Sequence, residues 1–272
     1  MLKDVTLGQY FPGNSVIHRL DPRTKLLGLV LFIVALFVAE NWLGFAVVAA
    51  FLIFVIAISG IPLKSVTKGL KPILFIMIFT GILNLFYTDG THIIAQWGPV
   101  TLTWEGVDRA LFMIARIMML IVGSFMLTYT TSPISLTVGL ERLLSPLKKI
   151  HFPAHELAMM MCNALRFIPT LIEETDKIMS AQKARGADFE SGSILRKAKA
   201  LVPILVPLFI SAFRRADELA TAMECRCYHG DAGRTKMKVL KFMGIDYGGL
   251  LLGLAVIAGA VALNFTGFTL IH

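Results

Sequence analysis

Apolar residues run through this chain in long blocks. Asn41 to Leu63 is a run of 23 residues without a charged side chain, Ile117 to Leu140 a run of 24, and Tyr247 to His272 a run of 26. A helix needs roughly 20 mainly apolar residues to cross about 30 Å of hydrocarbon. Two shorter segments qualify once their edges are allowed to reach the headgroups. These are Thr24 to Trp42, with Lys25 and Glu40 near its ends, and Pro72 to Thr88. The pattern predicts about five transmembrane helices, over roughly 24–42, 43–61, 72–88, 108–131 and 247–270, and so an all-α polytopic membrane protein.

The segment from 132 to 246 has a different rhythm. Ser132-Pro133 reads as a helix cap followed by proline at the first helical position. Leu136, Leu140, Leu143, Leu144 and Leu147 then recur at helical spacing until Ser145-Pro146 interrupts them. A second helix is expected from Pro153 to Arg185, bent near Pro169, and a third from about Ile194 to Arg226. Both long helices begin apolar and end polar. Three parts follow: a membrane domain of four spans over 1–131, a block of three helices over 132–246, and a final span over 247–272.

Composition agrees. The chain is 56 % apolar and 16 % charged, against about 45–50 % and 25 % in ordinary soluble domains. A soluble enzyme, a disordered chain and a disulfide-stapled secreted domain are all excluded. Cys162, Cys225 and Cys227 are too few and too scattered for a disulfide framework. The first span is not a cleaved signal peptide, since a second span follows at once and Phe37-Val38-Ala39 lacks a small-x-small cleavage site.

Charge then orients the chain. Lys3, Arg19, Arg23 and Lys25 precede the first span, Lys64, Lys68 and Lys71 lie between the second and third, and 17 Lys/Arg fall in 132–246. The opposite loops carry only Arg109. Positive residues stay on the cytoplasmic side, so the N-terminus is expected inside, the C-terminus outside and the 132–246 block in the cytoplasm of a cell-membrane protein. The net charge of +8 is accounted for by this orientation and needs no nucleic acid. Ala198 to Phe213 is apolar enough to suggest a sixth span. Pro203, Pro207 and seven basic residues that would be moved outside argue for an apolar helix at the cytoplasmic face instead.

The ends of the two long helices resemble each other. At an offset of 41, Asp176 to Gly186 aligns with Asp217 to Cys227, and Asp, a branched aliphatic, a hydroxyl residue, Ala and Arg coincide. In each copy the helix-favouring stretch stops just after an arginine, Arg185 or Arg226. A cation suits the carbonyl end of a helix, and Gly186 suits a left-handed cap. Short repeats also arise by chance, and a helix on a polar face commonly ends in a solvated Lys or Arg. Composition and spacing alone therefore stop at two Arg-tipped helices that could dock on something.

Other chemistry is thin. No Gly-x-x-x-x-Gly-Lys-Ser/Thr loop is present, so no P-loop nucleotide site is expected on this chain. Cys225-x-Cys227-x-His229 lacks the second Cys/His pair of a zinc site, and His151 with His155 lacks the Glu-x-x-His companion of a metal-binding bundle. Arg116 falls inside the fourth span, and Asp108, eight residues earlier on nearly the same face, is a possible intramembrane partner for it. A self-contained secondary transporter or channel is the alternative function. It would want polar or broken-helix sites at the midplane, whereas the spans hold little beyond Asn84 and Arg116.

Three features together resemble a known family. They are Ala184-Arg185-Gly186, the second tip within Ala222-Met223-Glu224-Cys225-Arg226, and Leu20-Asp21-Pro22-Arg23-Thr24-Lys25-Leu26 before the first span. The chain is similar over nearly its whole length to EcfT, the transmembrane coupling (T) component of energy-coupling factor transporters. That resemblance implies two ABC-type ATPase partners and a small membrane-embedded S component that captures a vitamin or a metal ion. It also implies that ATP and magnesium are held by the partners, with no cofactor or catalytic residue here. Ala184, Arg185 and Gly186 match the first docking tip and Arg226 the second. The second tip departs from Ala-Arg-Gly by carrying Cys225 and Cys227. Either that helix ends differently or its socket differs.

Overall fold

The computed structural model describes residues 10–87, 92–97, 100–150, 152–187, 189, 194–230 and 240–265. It resolves into two compact units, one drawn from Glu141–Val239 and the other from Gly8–Leu140 together with Leu240–His272.

The second of these is a helical membrane bundle. A short turn, α1 (Val16–Arg19), leads into α2 (Pro22–Val38). Asp21 caps α2 by accepting the Arg23 N–H, and Pro22 takes the first position, where its missing N–H is harmless. α3 (Trp42–Ser59) ends at Gly60, whose φ of +71° places it in the left-handed region. α4 (Leu63–Leu70) passes through a 3-10 turn (Lys71–Ile73) into α5 (Leu74–Tyr87). α6 (Trp104–Thr130) and α10 (Gly244–Phe265) complete the bundle, and α7 (Pro133–Leu144) starts from Ser132, whose hydroxyl accepts the Ser135 N–H.

Among the described residues, four segments are by themselves long and apolar enough to cross a membrane: Trp42–Ser59, Leu63–Phe86, Trp104–Thr130 and Gly244–Asn264. The 17 residues of α2 fall just short. At 1.5 Å per residue α2 is about 26 Å long, slightly under the hydrocarbon thickness. Its start is nevertheless bonded to the end of α6 and the start of α10, and its end to the middle of α6 and the end of α10, so it runs through the same apolar layer.

The core of this layer is apolar. Phe32 and Leu36 of α2, Val48 and Leu52 of α3, and Val122 and Met126 of α6 are buried together. A β-carbon at Gly123 would strike the Phe32 ring, so α2 and α6 approach closely because that position has none. Outward-facing residues of α5 such as Phe75, Ile76 and Phe79 are exposed, as suits contact with hydrocarbon.

One element was not expected from the sequence. Between α5 and α6 the chain forms an antiparallel hairpin, β1 (Ile93–Trp97) with β2 (Val100–Thr103). Its signal was present, two β-branched runs separated by Gly98-Pro99. Thr103 ends the hairpin and caps α6, its hydroxyl accepting the Gly106 N–H at 3.2 Å.

In the other unit a 3-10 segment (Ser145–Ile150) follows α7, at the Ser145-Pro146 interruption read from the sequence. Then come α8 (Ala154–Ala184) and α9 (Ile194–Cys225). α8 continues through Pro169, and α9 through Pro203 and Pro207. The apolar stretch 198–213 is thus the front half of the helix that carries the second arginine tip. α9 is not among the four segments suited to cross a membrane.

Candidate functional site

The two arginine tips share the same closure. At the end of α8 the Gly186 N–H donates to the Lys183 carbonyl at 2.9 Å, and the Ala187 N–H to the Gln182 carbonyl at 3.0 Å. At the end of α9 the Cys227 N–H donates to the Glu224 carbonyl at 2.8 Å, and the Tyr228 N–H to the Met223 carbonyl at 3.0 Å. Each pair is the double closure that satisfies the last carbonyls of a helix when the next residue turns left-handed. The donors and acceptors of this double closure map onto each other at the 41-residue offset; the Arg185 N–H also reaches the Ala181 carbonyl at 3.2 Å, whereas the Arg226 N–H bonds the Met223 carbonyl.

The left-handed residues are Gly186, with φ of +88°, and Cys227, with φ of +55°. Cys227 is the sole non-glycine residue with positive φ among the described residues. The question left open by the second tip's sequence is therefore answered for the helix: α9 ends as α8 does, and the backbone at Cys227 carries the strain that glycine would avoid. Arg185 and Arg226 occupy the same capping position and are both exposed. Neither guanidinium makes a hydrogen bond or ion pair among the described residues. Ala184, Gly186, Cys225 and Cys227 are also exposed. Each tip thus presents an exposed five-donor fork on a capped helix end, suited to carboxylates and carbonyls on another surface.

Among the described residues no three His, Cys, Asp or Glu side chains gather as a metal site would need. The His229 Nδ1–H donates to the Cys227 carbonyl at 2.8 Å. His155 is nearly buried and bonds Glu141 through Nδ1 at 2.9 Å, while His151 lies outside the described residues. Burial, and then the Glu141 carboxylate, push the Cys162 thiol up, with Arg166 opposing.

α8 and α9 are themselves joined. An Nη2–H of Arg215 donates to Glu174 Oε2 at 2.9 Å. A hydrogen bond with Ser211, and after it the Arg215 charge, hold the Glu174 carboxyl below its ordinary value.

In the membrane bundle, the motif before α2 is a junction of three helices. Asp246 is 1 % exposed. One of its oxygens accepts the Met243 N–H at 2.7 Å, at the start of α10, and the other accepts the Asp21 N–H at 2.8 Å, at the start of α2. Arg23 reaches back to the Leu240 carbonyl at 2.9 Å and lies over the Phe242 ring. The Lys25 ammonium donates to the Thr130 carbonyl at 2.8 Å, at the end of α6, where a cation offsets the helix dipole. The sequence singled out this motif without revealing its role, because Asp246 and Leu240 lie more than two hundred positions away.

At the other end of the bundle, Asp108 and Arg116 take separate partners. The Trp42 Nε1–H donates to Asp108 at 2.9 Å. An Nη2–H of Arg116 donates to the Ala39 carbonyl at 3.0 Å, closing the end of α2, and the guanidinium sits over the Phe112 and Phe37 rings. No ion pair joins Asp108 and Arg116 among the described residues. Both groups fasten helix ends, and Asn264 does the same by donating to the Val38 carbonyl.

Fold and site together define a polytopic, all-α membrane protein carrying a pair of like-ended, arginine-tipped helices. A family model described as CbiQ, Cobalt transport protein, matches residues 13–238. The energy-coupling factor transporter transmembrane protein EcfT of Thermosediminibacter oceani is 53 % identical over 264 residues, covering 97 % of this chain and 99 % of that one. The EcfT of Ruminiclostridium cellulolyticum is 52 % identical over 257 residues, 94 % and 95 % of the two chains. That of Bacillus subtilis is 49 % identical over 246 residues, 90 % and 93 %. The chain belongs to the EcfT family, the transmembrane components of energy-coupling factor transporters.

Proposed function

We propose that this chain is the coupling subunit of an ATP-driven importer, and that its two arginine tips dock on two ABC-type ATPase subunits. The observation that carries the reading is the duplicated tip. Two helix ends share one closure and one cap position, and each exposes an arginine that makes no hydrogen bond or ion pair among the described residues. Two like plugs suit two like sockets. Movement of the ATPases shifts α8 and α9, and the membrane bundle passes that shift to a small membrane-embedded S component that binds the vitamin or other micronutrient. ATP and magnesium belong to the ATPases, and substrate choice to the S component.

In this reading residues 1–131 and 247–272 form the membrane part and 132–246 the cytoplasmic coupling part, with the N-terminus inside and the C-terminus outside. A self-contained transporter finds less support. Arg116 and Asp108, the polar groups that could mark a midplane site, fasten helix ends instead.

The test is charge reversal at the tips in the assembled complex. Arg185→Glu with Arg226→Glu is expected to leave membrane insertion intact. It should abolish co-purification of the ATPases and solute uptake, since losing a charged partner at a buried contact costs about 2–5 kcal/mol. Uptake at the normal rate by an intact complex carrying both changes would end the docking proposal.

A further inference from the structure

The likeness of α8 and α9 does not stop at their tips. Glu174 and Arg215, the two residues that bond across the helix pair, are themselves 41 positions apart and so are counterparts in the repeat. Their neighbours follow suit: Thr170 and Ile178 are counterparts of Ser211 and Leu219, and all six positions are partly buried. Spaced four apart, they lie on one face of each helix. A residue meets its own counterpart in two situations only. The like segments run side by side in register, or a local two-fold axis passes through the contact. In both cases the two tips stand equally far from it, and here Arg185 and Arg226 each lie eleven residues beyond, about 16 Å along a helix.

The charges permit this meeting. Counterparts in a repeat tend to place like against like, which would repel. Here Glu173 and Glu174 of α8 correspond to Arg214 and Arg215 of α9.

We propose that the Glu174–Arg215 ion pair is the register clasp of the two arms, holding α8 and α9 at equivalent positions so that both arginine tips keep one matched reach and one separation. Glu174 and Arg215 are positioning residues, acting through the arms that carry the tips. The significance for coupling rests on the docking reading above, but the geometry does not.

Spin labels at Ser180→Cys and Thr221→Cys, exposed counterparts near the tips, read the separation of the arms in the full-length chain. Cys162, Cys225 and Cys227 are replaced by Ser in that background. Glu174→Gln and Arg215→Gln are each expected to broaden the label–label distance distribution and reduce the narrow population by about 2–5-fold, the scale of a partly exposed ion pair. The exchanged pair, Glu174→Arg with Arg215→Glu, should recover the narrow population. An unchanged distribution in both single variants overturns the clasp. So does broadening that the exchanged pair fails to repair, since packing rather than charge would then be responsible. In the assembled transporter the single variants should retain the ATPases yet lower solute imported per ATP hydrolysed, and the exchanged pair should restore that ratio. If the label distances behave as expected while Arg185→Glu with Arg226→Glu still retains the ATPases, the clasp stands and the docking reading alone falls.

Discussion

At Cys227 the backbone adopts a conformation that a β-carbon resists, and it does so without the glycine that serves the same position in α8. Left-handed geometry costs an L-residue roughly 1–2 kcal/mol. The hydrogen bonds from Cys227 and Tyr228 to the last carbonyls of α9 offset that cost. Cys227→Gly should therefore tighten the second tip, slowing amide hydrogen exchange at residues 226–228 by about tenfold. Gly186→Ala should do the reverse at the first tip, where open space around the position leaves backbone strain as the only penalty. Equal exchange in wild type and Cys227→Gly would show that the second tip is not held by this closure. Sequence alone exposed the arginine and the missing glycine. Whether the helix would change its ending or tolerate the strain depended on the balance of two small energies, which spacing does not report.

Among the helices, the membrane bundle is fastened at its ends and greasy in between. Asp246 shows the device most clearly, since a single carboxylate caps two helices whose first residues are more than two hundred positions apart. Asp246→Ala strands the buried Asp21 N–H and the part-buried Met243 N–H, and a buried group costs about 1–3 kcal/mol when unsatisfied. A loss of about 2–4 kcal/mol is expected in thermal unfolding of the detergent-solubilised protein. Asp246→Asn, which keeps one acceptor, should lose about half as much. Equal stability of the alanine and asparagine variants would deny the double cap. The existence and order of the spanning helices were legible from their apolar runs, and their starts from caps such as Asp21-Pro22 and Ser132-Pro133. The short α2 and the hairpin before α6 were harder to read. The limits of α2 are set by partners on α6 and α10, and those of the hairpin by strand pairing.

For the whole molecule the decisive matter is sidedness. In the proposed reading, the basic residues of the 132–246 segment, with those before α2 and along α4, put that segment in the cytoplasm by the positive-inside rule. Cys225 and Cys227 offer a direct check, because both are exposed at the second tip while Cys162 is half-buried with a raised thiol pKa. A membrane-impermeant maleimide should label the tip pair rapidly in inside-out vesicles and leave it untouched in right-side-out ones, with Cys162 reacting slowly. Rapid labelling of the tip from the outer face would reverse the orientation and remove the docking proposal with it. Bound ATPases should protect the same two thiols.

Apolar run length, charge bias and helix-capping residues act over a few turns of chain, so the sequence by itself determined that this is a membrane protein, where its helices fall and which two of them end in arginine. Which distant groups meet is another kind of fact. That Arg116 closes α2 while Asp108 goes to Trp42, that Asp246 serves Asp21, and that Glu174 finds its own counterpart Arg215 were decided only by tertiary structure. A buried polar group must be satisfied, but the chain alone does not say which backbone or side chain will lie within 3 Å of it once the helices have packed.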